Sequence, residues 1–256
     1  MKTTIGLNQG KRVQIILSKI PLLAFISVLF LLSSCSDNST SSKQDDDPST
    51  IQDIEQNTYP VVRIGNQLWI AENLRTTRYK NGEEIPEVQG QADWGNLNTG
   101  AWSRYQNHVS SDFDFGKLYN WHAVSDPRGL CPEGWKVPTD DDWKILERHL
   151  GMSAQEANSS MGRGGGENVG GKMKSTSLWD DPNMGATNES GFNGAPGGRR
   201  LPSGLFDMVN RAGWWWSATE QNQAEAVYRQ LFYQDGQVHR FNTNKRQGLS
   251  VRCVNE

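Results

Sequence analysis

The chain has 256 residues, 26 Lys and Arg against 29 Asp and Glu, and a formal net charge of −3. That near balance supplies no drive toward nucleic acid, whose phosphates call for a clear surplus of cations. Ten Trp, eight Phe and six Tyr stand beside 26 Gly, a composition of short elements joined by tight turns rather than long helices.

Lys2, Lys11, Arg12 and Lys19 precede or flank the start of an apolar run from Leu22 to Leu32. The run is too short for a membrane-spanning helix and has the length of a secretory signal. It ends in Leu32-Ser33-Ser34-Cys35, which resembles a bacterial lipobox. Residues 1–34 are therefore expected to be a lipoprotein signal peptide, and Cys35 to carry lipid that tethers the chain to a membrane. Residues 36–56 are rich in Ser, Asp and Thr and have few apolar side chains. Such a segment cannot offset its own ordering entropy, so 35–56 reads as a lipidated Cys and flexible tether. The folded domain is expected over 57–256.

Tyr59–Ile64 and Gln67–Ile70 alternate in polarity across Gly65-Asn66 and predict a hairpin. Residues 116–124 read as one short helix, with Leu118, Trp121 and His122 on one face. Thr139 is placed to cap a helix with Asp142 at the third position, and Trp143, Leu146 and Leu150 form its apolar face. Asp140-Asp141-Asp142 could suggest calcium, but capping and the helix dipole account for all three, and no metal is expected. The Gly166–Lys172 stretch falls short of a phosphate-binding loop because Met173 follows the lysine. Trp214–Thr219, Ala226–Tyr233 and Val238–Asn242 read as strands, the last two joined through Asp235-Gly236, and Leu249–Val254 as the closing strand. Trp214, Trp215 and Trp216 cannot share one face of a strand.

Of the three Cys, Cys35 is assigned to lipid. Cys131 and Cys253 then remain, as a disulfide in an exported protein or as two buried thiols. His108, His122, His149 and His239 lack metal-ligand spacing, and no nucleophile motif is present.

V-R-I-G-N-Q-L-W-I-A-E-N-L-R, G-K-L-Y-N-W-H-A-V, L-C-P-E-G-W-K-V-P-T-D-D-D-W, G-A-T-N-E-S-G-F, P-G-G-R-R, W-W-S-A-T-E and S-V-R-C-V occur in this order. Together they closely resemble the Fibrobacter succinogenes major paralogous domain, over about residues 57–256. That resemblance implies an exported protein or lipoprotein of Bacteroidetes-like bacteria, placed in the cell envelope and here expected at the outer membrane. G-W-K-V-P-T-D-D-D-W is more loosely similar to a segment of formylglycine-generating-enzyme-like domains. This implies an α+β, C-type-lectin-like fold with a small twisted mixed sheet, two or three short helices and long irregular loops. The oxidase chemistry of those enzymes uses a nearby cysteine pair that the motifs here do not supply, so no catalytic residue and no cofactor is expected.

The function read from these features is a non-enzymatic binding or adhesion module for a glycan or protein. Aromatic side chains stack on sugars and amides hydrogen-bond to them. Tyr228, Gln230, His239, Arg240, Asn242, Asn244 and Lys245 on and beside the last hairpin are the candidate ligand contacts. A formylglycine-generating-type oxidoreductase and a structural or fimbrial envelope component are the alternatives.

Overall fold

The computed structural model describes residues 47–256. The signal peptide, Cys35 and the first part of the tether lie outside the described residues. The strands are β1 (Thr50–Gln52), β2 (Thr58–Ile64), β3 (Gln67–Ile70), β4 (Trp102–Ser103), β5 (Leu118–Tyr119), β6 (Trp135–Lys136), β7 (Met161–Arg163), β8 (Arg199–Arg200), β9 (Phe206–Asp207), β10 (Ala212–Glu220), β11 (Glu225–Phe232), β12 (Val238–Asn244) and β13 (Val254–Asn255). The helices are α1 (Gln91–Gly95), α2 (Ser111–Phe115), α3 (Trp121–Val124), α4 (Asp140–His149), α5 (Ala154–Asn158) and α6 (Val169–Met173). The protein is thus α+β. Six α-helices and one 3-10 turn (Tyr105–Asn107) among the described residues replace the expected two or three, but only α4, with 10 residues, exceeds five.

Two sheets organise the chain, in the orders β1-β2-β3-β13-β6 and β10-β11-β12-β7. Every ladder between named strands is antiparallel, and parallel pairing is confined to isolated bridges such as Trp215 with Ser250. The expected mixed sheet is corrected accordingly. The β2–β3 hairpin closes on Ile64↔Gln67 around Gly65, whose φ of 62° suits a two-residue turn. Chain order places the opening hairpin and the closing strand side by side, because Val254 pairs with both Trp69 and Lys136.

The ordered region begins earlier than composition predicts. Thr50–Gln52 pairs with Thr58–Pro60, so the last seven residues assigned to a tether belong to the fold. Carboxylates, more than apolar burial, order them. Asp53 accepts from the Glu55 and Asn57 backbone N–H groups at 2.9 and 3.0 Å and from the Tyr59 hydroxyl at 2.7 Å. Glu55 reaches across to Thr76 and Thr77.

Cys131 and Cys253 form a disulfide with a Cα–Cα distance of 5.9 Å. It closes a span of 122 residues, worth about 4–5 kcal/mol in chain-entropy terms. The expected helix over 116–124 is instead β5 followed by α3. Asn120 is extended at φ −76°, ψ 161°, and its side chain accepts from the Ala123 N–H, so the helix starts only there.

The three tryptophans of β10 alternate as a strand requires, yet all are buried, at 2%, 0% and 0% exposure for Trp214, Trp215 and Trp216. Trp214 and Trp216 join a core with Trp121, Leu249 and Val251. Trp215 joins a second core with Trp69, Trp143, Phe192 and Leu231, where its ring meets Phe192 edge-on at 5.6 Å. β10 therefore lies at one end of its sheet order yet is covered on both faces.

The loops are stitched by buried cations rather than by ladders. Lys174 donates to the carbonyls of Met184, Phe232 and Asp235 at 2.7, 3.1 and 2.9 Å. Arg252 donates to Asn73 Oδ1 and to the carbonyls of Ile70, Phe192 and Asn193. Irregular backbone exposes carbonyls that must be satisfied when buried, and these side chains supply the donors. Burial lowers the Arg252 guanidinium to about 9 and the Lys174 amine to about 8.

Candidate functional site

The β11–β12 hairpin has two chemically opposite faces. Its register sets Tyr228 opposite Phe241, Gln230 opposite His239 and Arg229 opposite Arg240. Directly opposed residues share a face, so the rings fall on one side and the two arginines on the other.

Two like charges directly across a ladder repel. Here α4 neutralises them. Asp140 Oδ1 accepts from Arg229 Nη1 and Arg240 Nε at 2.8 Å each, and Oδ2 accepts from Arg240 Nη2 at 2.7 Å. Lys144 reaches the same carboxylate at 2.9 Å. Two helical turns further, Glu147 accepts from Arg229 Nε and, from β7, Arg163 Nη2. Arg229, Arg163 and Glu147 are buried at 0%, 4% and 0% exposure. Burial lowers Arg163 to about 10 in spite of Glu147 beside it. Burial also works against the Asp140 carboxylate, but the bonds from Arg240, Arg229 and Lys144 prevail and hold it well below its ordinary range. A helix and three strands are locked by this cluster.

Capping therefore accounts for only part of the Asp run. Thr139 and Asp142 do form the capping box. Asp141 is exposed and pairs with Lys144. Asp140 turns inward to the arginines.

The other face of the hairpin carries a strip of rings. His239 stacks on Phe241 at 6.3 Å and 14°, and Phe241 lies 6.2 Å from Tyr228. Phe241 is 37% exposed, whereas Tyr228 is 9% exposed and anchored in the core. The Gln230 side chain is half-buried and makes no intramolecular hydrogen bond among the described residues. At the sheet edge His239 pairs with Gly162. A Cβ there would come within 2.8 Å of the imidazole, so glycine keeps this rung open.

The seven sequence-predicted contacts divide by what they already hold. Tyr228, Gln230 and His239 lie on the ring face, where His239 Nε2 meets Asp235 Oδ2 at 3.1 Å. Arg240 belongs to the Asp140 cluster. Lys245 is buried over the Trp121 ring at 4.5 Å, and its amine donates to Glu220 and to the Gln223 carbonyl. Asn242 is exposed and donates to Glu225, and Asn244 Oδ1 accepts from the Arg246 N–H. The structure thus gathers three of the seven on one face, with Tyr228 buried and Gln230 and His239 partly exposed, and adds the exposed Phe241.

Glu147, Arg229 and Arg163 escaped sequence reasoning. A signal was present for Arg229, which sits between Val227 and Leu231 on a strand and shares their buried parity. A charge at a buried strand position implies a buried partner, but sequence separation hid the partner's identity.

Among the described residues no group of three or more His, Cys, Asp or Glu is arranged to hold a metal ion, and no helix is long and apolar enough to cross a membrane. A family model described as the Fibrobacter succinogenes major domain matches residues 62–255. No curated protein and no solved structure matches the chain. The family match takes in the disulfide, the hairpin and all strands from β3 onward, and on it the chain belongs to the Fibrobacter succinogenes major domain family.

Proposed function

We propose that the protein is an exported lipoprotein, anchored through Cys35 at the outer membrane, whose domain is a non-enzymatic binding module. The observation that carries this reading is the ring strip of Tyr228, Phe241 and His239 beside the unbonded Gln230 amide, backed by a buried charge cluster that fixes the hairpin. Flat rings with adjacent amides suit the apolar faces and hydroxyls of a glycan, and a rigid backing lowers the entropy lost on binding. A glycan is the favoured ligand, and a protein surface rich in hydroxyl and amide groups is the alternative within the same reading.

We read the fold, more finely, as C-type-lectin-like. Supporting this are the pairing of β13 with β3, which joins the two ends of the domain, and the long loops between α6 and β10. A formylglycine-generating-type oxidase is disfavoured by the engagement of Cys131 and Cys253 with each other.

The test is a glycan array probed with the purified protein and with its Phe241→Ala variant. Binding to a defined glycan set, lost in the variant, is the expected result. An unchanged profile in the variant would remove the hairpin from the site. Incorporation of radiolabelled palmitate that disappears in Cys35→Ser checks the anchor.

A further inference from the structure

We propose that a second site, apart from the hairpin face, takes an uncharged sugar in the cleft between the 84–86 and 98–100 loops and α3 with the turn after it. The cleft has a volume of about 430 Å³, within the size range of small-ligand pockets.

The division of labour among its lining groups indicates the ligand class. The charged groups are committed to one another. Asp126 takes the Arg128 guanidinium at 2.8 and 2.7 Å, and Arg128 also reaches Glu83 at 2.7 Å while lying 4.0 Å over the Tyr79 ring. Glu84 takes Arg78 at 2.7 Å. An anionic or cationic ligand would have to compete with these pairs. The neutral groups are uncommitted. Among the described residues the side chains of Asn98, Thr99, His122 and Ser125 make no hydrogen bond within the protein. The two hydroxyls and the amide can donate and accept alike, and so can a neutral imidazole. Sugar hydroxyls require that same dual capacity. Burial, with Lys245 and Arg246 nearby, lowers the proton affinity of His122 and favours its neutral form. Pro86 and Pro127 add apolar surface.

The cleft is also preorganised. The buried Asn120 side chain accepts from the Ala101 N–H at 3.0 Å and donates to the Thr99 carbonyl at 2.8 Å, fixing one wall. The same Oδ1 caps α3 through the Ala123 N–H at 3.1 Å and so positions His122 on the other. Gly100 closes the floor over the Tyr79 hydroxyl, which is buried without a hydrogen-bond partner, and a Cβ at this position would lie 2.0 Å from that oxygen. Walls held by main-chain bonds lower the ordering cost of binding.

The test titrates purified, isotope-labelled protein with N-acetylchitohexaose, mannohexaose and cellohexaose, and with hexagalacturonate as the charged counterpart, following amide NMR shifts. A neutral probe should move the resonances of Thr99, His122 and Ser125. Its affinity should fall at least about tenfold both in Ser125→Trp, which obstructs the cleft, and in the milder Asn98→Ala/Thr99→Ala double variant, which removes two hydrogen-bonding groups. Far-UV circular dichroism checks that both variants fold. Phe241→Ala should leave this binding unchanged. The assignment is overturned if none of the three neutral probes shifts the cleft, if hexagalacturonate binds there more tightly than they do, or if the folded cleft variants bind as the parent does. Binding abolished by Phe241→Ala but kept in Ser125→Trp would also overturn it, while leaving the hairpin reading intact.

Discussion

The two faces of the β11–β12 hairpin are built from neighbouring residues and do opposite work. On one, Arg229 and Arg240 are drawn onto Asp140 and Glu147 of α4, with Arg229 and Glu147 fully excluded from solvent. On the other, Phe241 and His239 stack in partial exposure. The lesson is that charge is a poor guide to which face stays open here. The most charged residues of the hairpin are already satisfied internally, and the face left open is aromatic. Changes on the two faces should therefore separate stability from binding.

The largest effect is expected at Glu147. Its removal leaves Arg163 and Arg229 buried without this carboxylate, and breaking one side of a buried ion cluster costs about 3–5 kcal/mol. Urea unfolding of Glu147→Gln should show that loss, and a loss below about 1 kcal/mol would mean that the cluster is not what holds the hairpin to α4. Next is the disulfide. Cys131→Ala/Cys253→Ala should lose about 2–5 kcal/mol, read as an earlier urea midpoint, without redistributing ligand preference.

A smaller, pH-dependent effect follows from Asp140. Its folded carboxyl binds a proton more weakly than the unfolded value of 3.8. The unfolded chain therefore takes up that proton first as pH falls. The stabilisation is present above about pH 4 and is lost as acid protonates the folded carboxylate. Urea midpoints measured from pH 7 to pH 2 should fall in the acid limb, and Asp140→Asn should start lower and show a shallower fall. A parallel limb in the variant would assign the acid sensitivity to other carboxylates.

Much of this architecture was legible in the sequence where the determining signal is local. Gly65-Asn66 marked the β2–β3 turn, Asp235-Gly236 marked the hairpin, and Thr139 with Asp142 marked the start of α4. Alternation alone required the β10 tryptophans to split between faces. It could not show that both faces are cores, because that depends on α4 and on the 192–195 loop packing behind Trp215. The split of 116–124 turned on one side chain, Asn120, acting as a cap. The ordered 50–56 segment was missed because carboxylate–backbone bonds, and not apolar burial, hold it. At the site, strand alternation says nothing about partners far along the chain. Arg240 and Lys245 were therefore read as ligand contacts when their partners, Asp140 and Glu220, lie 100 and 25 residues away.

The most direct measurement pairs ligand binding with unfolding free energy in one variant, Phe241→Ala. Because the ring is partly exposed and makes no hydrogen bond, stability should stay within about 1 kcal/mol of the parent. Affinity for the glycan selected on the array should fall by about tenfold or more, as expected for an aromatic anchor. A protein that loses several kcal/mol of stability and still binds with parental affinity would contradict the account, because the ring face would then be structural and the binding surface would lie elsewhere.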